Sequence, residues 1–109
     1  MKAMQTMDIK KTVFRNLHEV CLQEVRNTKA HFAFVTSKLS EREVSKLMYE
    51  HILNCEDLIE FTSVFLEKDK DKEKVTVDER SLLYLKDKSE LLMKYKNTLV
   101  EYNISTDIH

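Results

Sequence analysis

The chain has 109 residues, of which 42% are hydrophobic and 34% are charged, and its formal net charge is −1. A chain of this length and hydrophobic content folds as one domain with a core, which excludes a disordered linker. The sequence lacks glycine and proline, which excludes the glycine-rich loops that bind nucleotide phosphates and argues against a fold rich in β-sheet.

The first predicted element is one long helix over Asp8–Lys38. When each residue is given about 100° of helical rotation, a single apolar stripe runs through this segment without interruption. The stripe consists of Phe14, Leu17, Cys21, Val25, Thr28, Phe32, Val35 and Leu39. A break near Asn27 is the alternative, and it would divide the segment into two helices and give a bundle of four.

The strongest boundary signal follows at Ser40. Glu43 stands three residues later, which is the spacing of a capping box, and Leu39 and Val44 flank the cap as a hydrophobic staple does. The pattern predicts a tight turn before Ser40 and a second helix over Glu41–Glu67.

The second helix carries apolar residues on two faces. Its main stripe contains Val44, Leu47, Met48, Ile52, Cys55, Leu58, Ile59, Thr62, Phe65 and Leu66, and a second set on the far side consists of Tyr49, Leu53, Phe61 and Val64. A helix that is apolar on two faces needs two sets of neighbours. We therefore expect the far side to be covered by a fourth helix, by a second copy of the chain or by a protein partner.

The third predicted helix spans Glu79–Tyr102 and follows a charged connection. Residues 67–74 read EKDKDKEK, an alternating-charge run without an apolar anchor, which predicts a solvated helix end and loop. Asp78 has the position of an N-cap. Lys88 interrupts the apolar stripe of this helix, so it must either reach past its neighbours to solvent or pair with a carboxylate. We expect the tail, residues 103–109, to fray.

Together these elements predict a single all-α domain over residues 1–109, an antiparallel bundle of three long helices. Cys21 and Cys55 fall on the apolar stripes and are interpreted as buried structural thiols. No apolar run approaches the roughly 18 residues that a membrane span needs, and the first residues lack the apolar core of a signal peptide. The expected location is therefore the cytoplasm, without membrane insertion.

From Leu39 to Tyr102 the chain resembles the helical repeat of the PhoU family. The run LSEREVSKLMYEHILNCEDLIEFTSVFLE looks like the long helix of that repeat, and Glu56 and Glu60 fall at its acidic ExxxD motif, with Glu60 in place of the aspartate. Carboxylates four residues apart stand on one helix face and can share a hard cation. The resemblance implies a metal-binding regulator of phosphate uptake, although the arginine and glycine of the family's motif are missing here.

A second resemblance involves Arg26, Asn27 and His31, which match the Arg-Asn-x-x-x-His pattern of HEPN ribonucleases. It implies a small all-helical enzyme that cleaves RNA at a dimer interface without a metal, with Arg26 holding the phosphate and His31 moving the proton. On a continuous helix, however, Arg26 and His31 point about 140° apart.

Of these interpretations, we favour a non-catalytic binding module that acts by protein–protein association, such as a regulator, inhibitor, chaperone or adaptor. The expected partner surface is the far side of the second helix, formed by Tyr49, Leu53, Phe61 and Val64. Its occupant would be a protein partner or a second copy of the chain. The net charge of −1 gives no electrostatic footprint for nucleic acid, and under this interpretation we expect no cofactor, no metal site and no catalytic residues.

Overall fold

The computed structural model describes residues 6–32 and 35–104. Its elements in chain order are strand β1 (Thr6–Lys10), helix α1 (Lys11–His31), helix α2 (Glu41–Glu67), strand β2 (Lys74–Asp78) and helix α3 (Glu79–Glu101). The predicted mostly helical fold is confirmed. None of the described helices is long and apolar enough to cross a bilayer.

Helix α2 has the predicted bounds, and its N-terminus carries the predicted capping box. The Ser40 hydroxyl accepts the Glu43 N–H at 3.3 Å, and the Glu43 carboxylate accepts the Ser40 N–H at 2.9 Å. The box pairs two backbone donors that a helix start leaves without partners. Leu39 and Val44 pack into one apolar cluster beside it, and Asp78 caps α3 in a similar way.

The first helix is shorter than predicted at both ends. Helix α1 covers Lys11–His31 instead of Asp8–Lys38, because residues 8–10 belong to β1 and residues 35–40 are not helical. Val35 and Leu39 still reach the core, but they do so from the connection to α2. The helix passes through Asn27 without a break, and the described residues contain no fourth helix.

The two strands show that the prediction of a purely all-α fold is wrong. They pair antiparallel, with Ile9 opposite Val75 and Met7 opposite Val77. Val75 and Val77 are buried, whereas Thr76 between them is exposed. This alternation of β-branched residues is typical of a strand with one buried face, and the buried face packs on α1 and α2.

The end of α3 is more ordered than expected. Asn103 has a φ of 54°, and the N–H groups of Asn103 and Ile104 donate to the carbonyls of Val100 and Leu99 at 3.2 and 2.9 Å. This pair of bonds is a Schellman motif, with asparagine in the left-handed position that glycine usually takes. The predicted fraying is wrong for residues 103–104, since Ile104 is buried beside Leu99. Residues 105–109 lie outside the described part.

Helix α2 is the central element, because α1 and α3 pack mainly against it and only slightly against each other. The chain measures 49 × 33 × 17 Å, with a radius of gyration of 16.5 Å. A compact chain of this length has a radius of gyration of about 13 Å. The spread arrangement exposes more of each helix than a closed bundle would.

Candidate functional site

The partner surface predicted on α2 is open to solvent at three of its four positions. Tyr49 is 63% exposed, Leu53 is 42% exposed and Val64 is 53% exposed. In the described part of the chain no further helix lies over these residues. Clustered apolar exposure of this kind marks interaction surfaces.

Phe61, the fourth predicted residue, is half-buried and packs inside the molecule. Its ring centroid lies 5.0 Å from those of Phe65 and Tyr84 and 6.4 Å from that of Phe14. Phe14 and Phe65 in turn stack at 5.1 Å. Phe61 therefore connects the core to the exposed side of α2 and does not stand free on that side.

An ion pair joins α2 to α3 close to these residues. The Lys88 ammonium donates to Asp57 Oδ2 at 2.7 Å and to Asn54 Oδ1 at 3.2 Å. The same ammonium lies 5.7 Å from the ring centroid of Tyr84. We predicted that the Lys88 side chain either reaches solvent or pairs with a carboxylate, and the structure shows the pairing.

Four exposed apolar side chains surround this ion pair. Each stands three, four or seven positions along its helix from the paired residue, and such spacings place side chains on one side of a helix. We name this surface the α2–α3 face, and its apolar members are Leu53, Val64, Tyr84 and Leu91. The charges at its centre are opposite and already paired.

Tyr49 belongs to a different part of the surface. It lines an open cleft of about 560 Å³ between the end of α1 and the start of α2. The other lining residues are Thr28, Lys29, Phe32, Ser45, Lys46, Met48 and Ile52. The four residues predicted as one partner surface are thus divided among the cleft, the core and the α2–α3 face.

The structure does not bring Arg26 and His31 together. Arg26 is exposed, whereas His31 is buried. The Nε2 atom of His31 has no hydrogen-bond partner among the described residues. An RNA phosphate held by the exposed guanidinium would therefore not meet the imidazole of the same chain.

Glu56 and Glu60 are both exposed on α2. A hard cation needs several oxygen ligands, usually six or more for calcium. Among the described residues, no group of three or more histidine, cysteine, aspartate or glutamate side chains is placed to hold a metal ion. The two glutamates therefore lie side by side without further carboxylate ligands.

A polar cluster around the buried His51, which was not predicted from the sequence, links all three helices. One carboxylate oxygen of Glu24 on α1 lies 3.2 Å from His51 Nε2 on α2, and the other lies 3.1 Å from the Lys96 ammonium on α3. Cys55 Sγ lies 3.7 Å from the same His51 nitrogen. Tyr95 of α3 stacks on the His51 ring.

The contacts of His51 indicate a neutral imidazole that donates from Nε2. Glu24 and Cys55 both contact Nε2, while the buried Nδ1 has no partner among the described residues. Burial lowers the pKa of His51, and the hydrogen bond and charge of Glu24 offset only part of this effect. In a nucleophile triad the carboxylate and the nucleophile bind opposite ring nitrogens. The cluster is therefore not built as a cysteine–histidine–glutamate triad.

Glu24 remains charged in this cluster. Burial alone would raise the pKa of its carboxyl, but the hydrogen bonds from Lys96 and His51 and the charge of Lys96 outweigh burial and hold that pKa below its ordinary value. Glu24 thus serves as an acceptor for two other helices at once. It ties α1 to α3, which otherwise make little contact.

One sequence signal could have revealed part of this cluster. His51 stands four positions before Cys55 and seven after Val44, so helical rotation places it on the main apolar stripe of α2. Its partners come from α1 and α3, and no local pattern places them beside it.

No known protein family, curated protein or solved structure matches this chain.

Proposed function

We propose that this chain is a non-catalytic helical binding module that works by self-association through the α2–α3 face. The supporting observation is that this face exposes four large apolar side chains around a charge pair. The accessible surface is 8140 Å², whereas the scaling of folded monomers gives about 6,300 Å² for a chain of 13.0 kDa. The chain as a whole therefore exposes about 1,800 Å² more than a compact monomer of its size.

A second copy of the chain suits the chemistry of this face. In a twofold dimer the same patch meets itself, so its apolar side chains would lie against apolar side chains. Asp57 and Lys88 at the centre are already paired, and their burial would leave neither charge without a counterion. The net charge of −1 gives little repulsion between two copies.

The energetic reason for association is the burial of the apolar side chains of the α2–α3 face. Fully burying a large aliphatic or aromatic side chain is worth roughly 1.5–3 kcal/mol. The α2–α3 face holds four such side chains that are only partly buried. A small domain has a free energy of unfolding of only about 5–15 kcal/mol, so burial of this face would add substantially to its stability.

The ribonuclease and phosphate-regulator interpretations receive less support. Arg26 is exposed while His31 is buried, and the pair would need a second chain to form a site. Glu56 and Glu60 have no additional metal-ligating group among the described residues. The exposed apolar face, by contrast, needs no further residue to act as a docking surface.

The experiment is sedimentation velocity of the purified protein over a range of concentrations. We expect the unmodified chain to sediment as a dimer, and Leu53→Glu and Val64→Glu to sediment as monomers that keep their helical circular dichroism. The matched control is Val100→Glu. Val100 is 82% exposed and lies about 180° around α3 from Leu91, so this variant should remain dimeric.

Two results would contradict the proposal. A monomeric unmodified chain at the highest concentration tested would exclude self-association as its mode of action. Equal dissociation of the Val100→Glu and Leu53→Glu variants would show that the interface is not the α2–α3 face.

A further inference from the structure

The two cysteines meet in the centre of the molecule. Cys21 on α1 and Cys55 on α2 are each 0% exposed and form one buried cluster with Leu58. Both residues are free cysteines in the reduced state. The pair lies across the interface between the two most extensively packed helices.

The helix geometry suits a covalent bridge at this point. Packed helices lie about 8–10 Å apart between axes, and their Cα atoms lie about 2.3 Å from each axis. Facing Cα atoms are then about 3.4–5.4 Å apart, a range that overlaps the ~4.4–6.8 Å that a disulfide spans. Cys21 and Cys55 belong to one buried cluster, so the bridge would join neighbouring side chains of the two helices.

The surroundings of the pair are not those of inert buried thiols. Cys55 Sγ lies 3.7 Å from His51 Nε2, and His51 continues to Glu24 and Lys96. The neighbouring Cys55 thiol lowers the pKa of the Cys21 thiol, and the Cys21 thiol together with burial raises the pKa of Cys55. Because the thiolate is the reactive form of cysteine, Cys21 is the better nucleophile of the two.

We propose that Cys21 and Cys55 form a redox-active dithiol, a modification site at which hydrogen peroxide produces a disulfide between α1 and α2. This inference does not depend on self-association. The Cys21 sulfur attacks one peroxide oxygen and the O–O bond breaks. The leaving hydroxide takes the thiol proton to form water, and Cys21 becomes a sulfenic acid.

The second step joins the two residues. The Cys55 sulfur attacks the sulfur of the Cys21 sulfenic acid, the S–O bond breaks, and the hydroxide leaves as water with the Cys55 proton. Two thiols have then lost two protons and two electrons in total, and one peroxide has been reduced to two waters. Peroxide is small, and it reaches the buried pair through local opening of the helices.

The test treats the folded, full-length protein with hydrogen peroxide and then alkylates any remaining thiols. We expect an intact mass without added alkyl groups, a Cys21–Cys55 cross-linked peptide after proteolysis, and recovery of both thiols with dithiothreitol. Cys55→Ser should stop at the Cys21 sulfenic acid, which dimedone traps. Cys21→Ser should lose both the bridge and most of the dimedone adduct.

Circular dichroism and urea unfolding of each variant show whether it is folded when it is treated. The unmodified protein carries the main test, so an unstable variant does not weaken the result. If both of its thiols remain alkylatable after peroxide treatment, or if the bridges form only between chains, the dithiol proposal is wrong.

Discussion

The imidazole of His51 lies flat against the phenol ring of Tyr95, with ring centroids 3.6 Å apart and ring planes at 9° to each other. Glu24 of α1 lies 3.2 Å from the same imidazole, so the stacked pair and its acceptor link all three helices. Stacking keeps water away from one face of the imidazole, and a charged imidazole at this position would lose its hydration. The fold therefore favours neutral His51.

This arrangement predicts that acid destabilises the protein in two steps. Folding lowers the pKa of His51, mainly through burial, from an ordinary value of 6.5. It also lowers the pKa of Glu24 from 4.5, because Lys96 and His51 outweigh the effect of burial. The unfolded chain then binds more protons than the folded chain as each group titrates, so the free energy of unfolding decreases as the pH falls.

Urea unfolding across a pH series measures this effect. The contribution of His51 to the free energy of unfolding should be fully present above pH 6.5 and should decrease as the pH falls below that value. The contribution of Glu24 should decrease below pH 4.5. The control is His51→Phe, which keeps a ring against Tyr95 and should lack the upper step. A free energy of unfolding that stays constant between about pH 7.5 and pH 5 would contradict the prediction.

Glu24→Leu should lower the free energy of unfolding by about 1–3 kcal/mol, because the buried Nε2–H of His51 loses its acceptor. Glu24→Gln keeps an acceptor oxygen and should lower the free energy of unfolding by less than Glu24→Leu does. Glu19→Leu is the matched control, since Glu19 is exposed on the same helix and a change there should alter stability by less than about 0.5 kcal/mol. Equal losses for the two leucine variants would remove the structural role assigned to Glu24.

Phe61→Ala should lower the free energy of unfolding by about 2 kcal/mol, less than a fully buried phenylalanine would cost, because Phe61 is half-buried among three aromatic rings. Tyr49→Ala, at an exposed position, should change it by less than about 0.5 kcal/mol. Thermal unfolding of both variants compares the two positions directly. A larger loss of stability for Tyr49→Ala than for Phe61→Ala would contradict the assignment of Phe61 to the core and Tyr49 to the surface.

Asn103→Ala should destabilise the end of α3 by about 1 kcal/mol, because alanine has a Cβ that is strained in the left-handed conformation. Asn103→Gly should retain or slightly increase the stability of the unmodified protein. Asn97→Ala serves as the control within α3, where φ is negative and alanine favours the helix. An Asn103→Ala variant as stable as Asn103→Gly would show that the motif contributes nothing.

The purified protein should not cleave RNA in the presence of a metal chelator. The reason is that Arg26 is exposed and His31 is buried on the same continuous helix. Incubation with labelled single-stranded RNA, followed by electrophoresis, measures this. Cleavage that disappears in both Arg26→Ala and His31→Ala would establish the ribonuclease activity and exclude the non-catalytic proposal.

The caps could be predicted from the sequence because their signals are local. Ser40 and Glu43 are three residues apart, and both bonds of the box form within that short span. The same holds for Asp78 at the start of α3. The end of α1 at His31 carried no such signal, because the apolar stripe continues past it and the chain has no glycine or proline to mark a stop.

The strands and the polar cluster depend on residues that are distant in the sequence. Val75 and Val77 alternate with a polar residue, but a strand needs a partner, and the partner β1 precedes β2 in the sequence by the whole length of α1 and α2. His51 is at a buried helix position, yet its acceptor and its stacking ring belong to different helices. Helical periodicity identifies the buried face of each helix. It does not identify which residues of the other helices that face contacts.

The pairing of β1 with β2 also has a consequence for the order of folding. Ile9 reaches Val75 only after α1, the turn and α2 have been brought back on themselves, and closing so long a loop is entropically unfavourable until local contacts exist. The α1–α2 hairpin should therefore form first, and the sheet should close last. Until β1 arrives, β2 presents an open strand edge with two valines, so slow closure would favour aggregation during refolding.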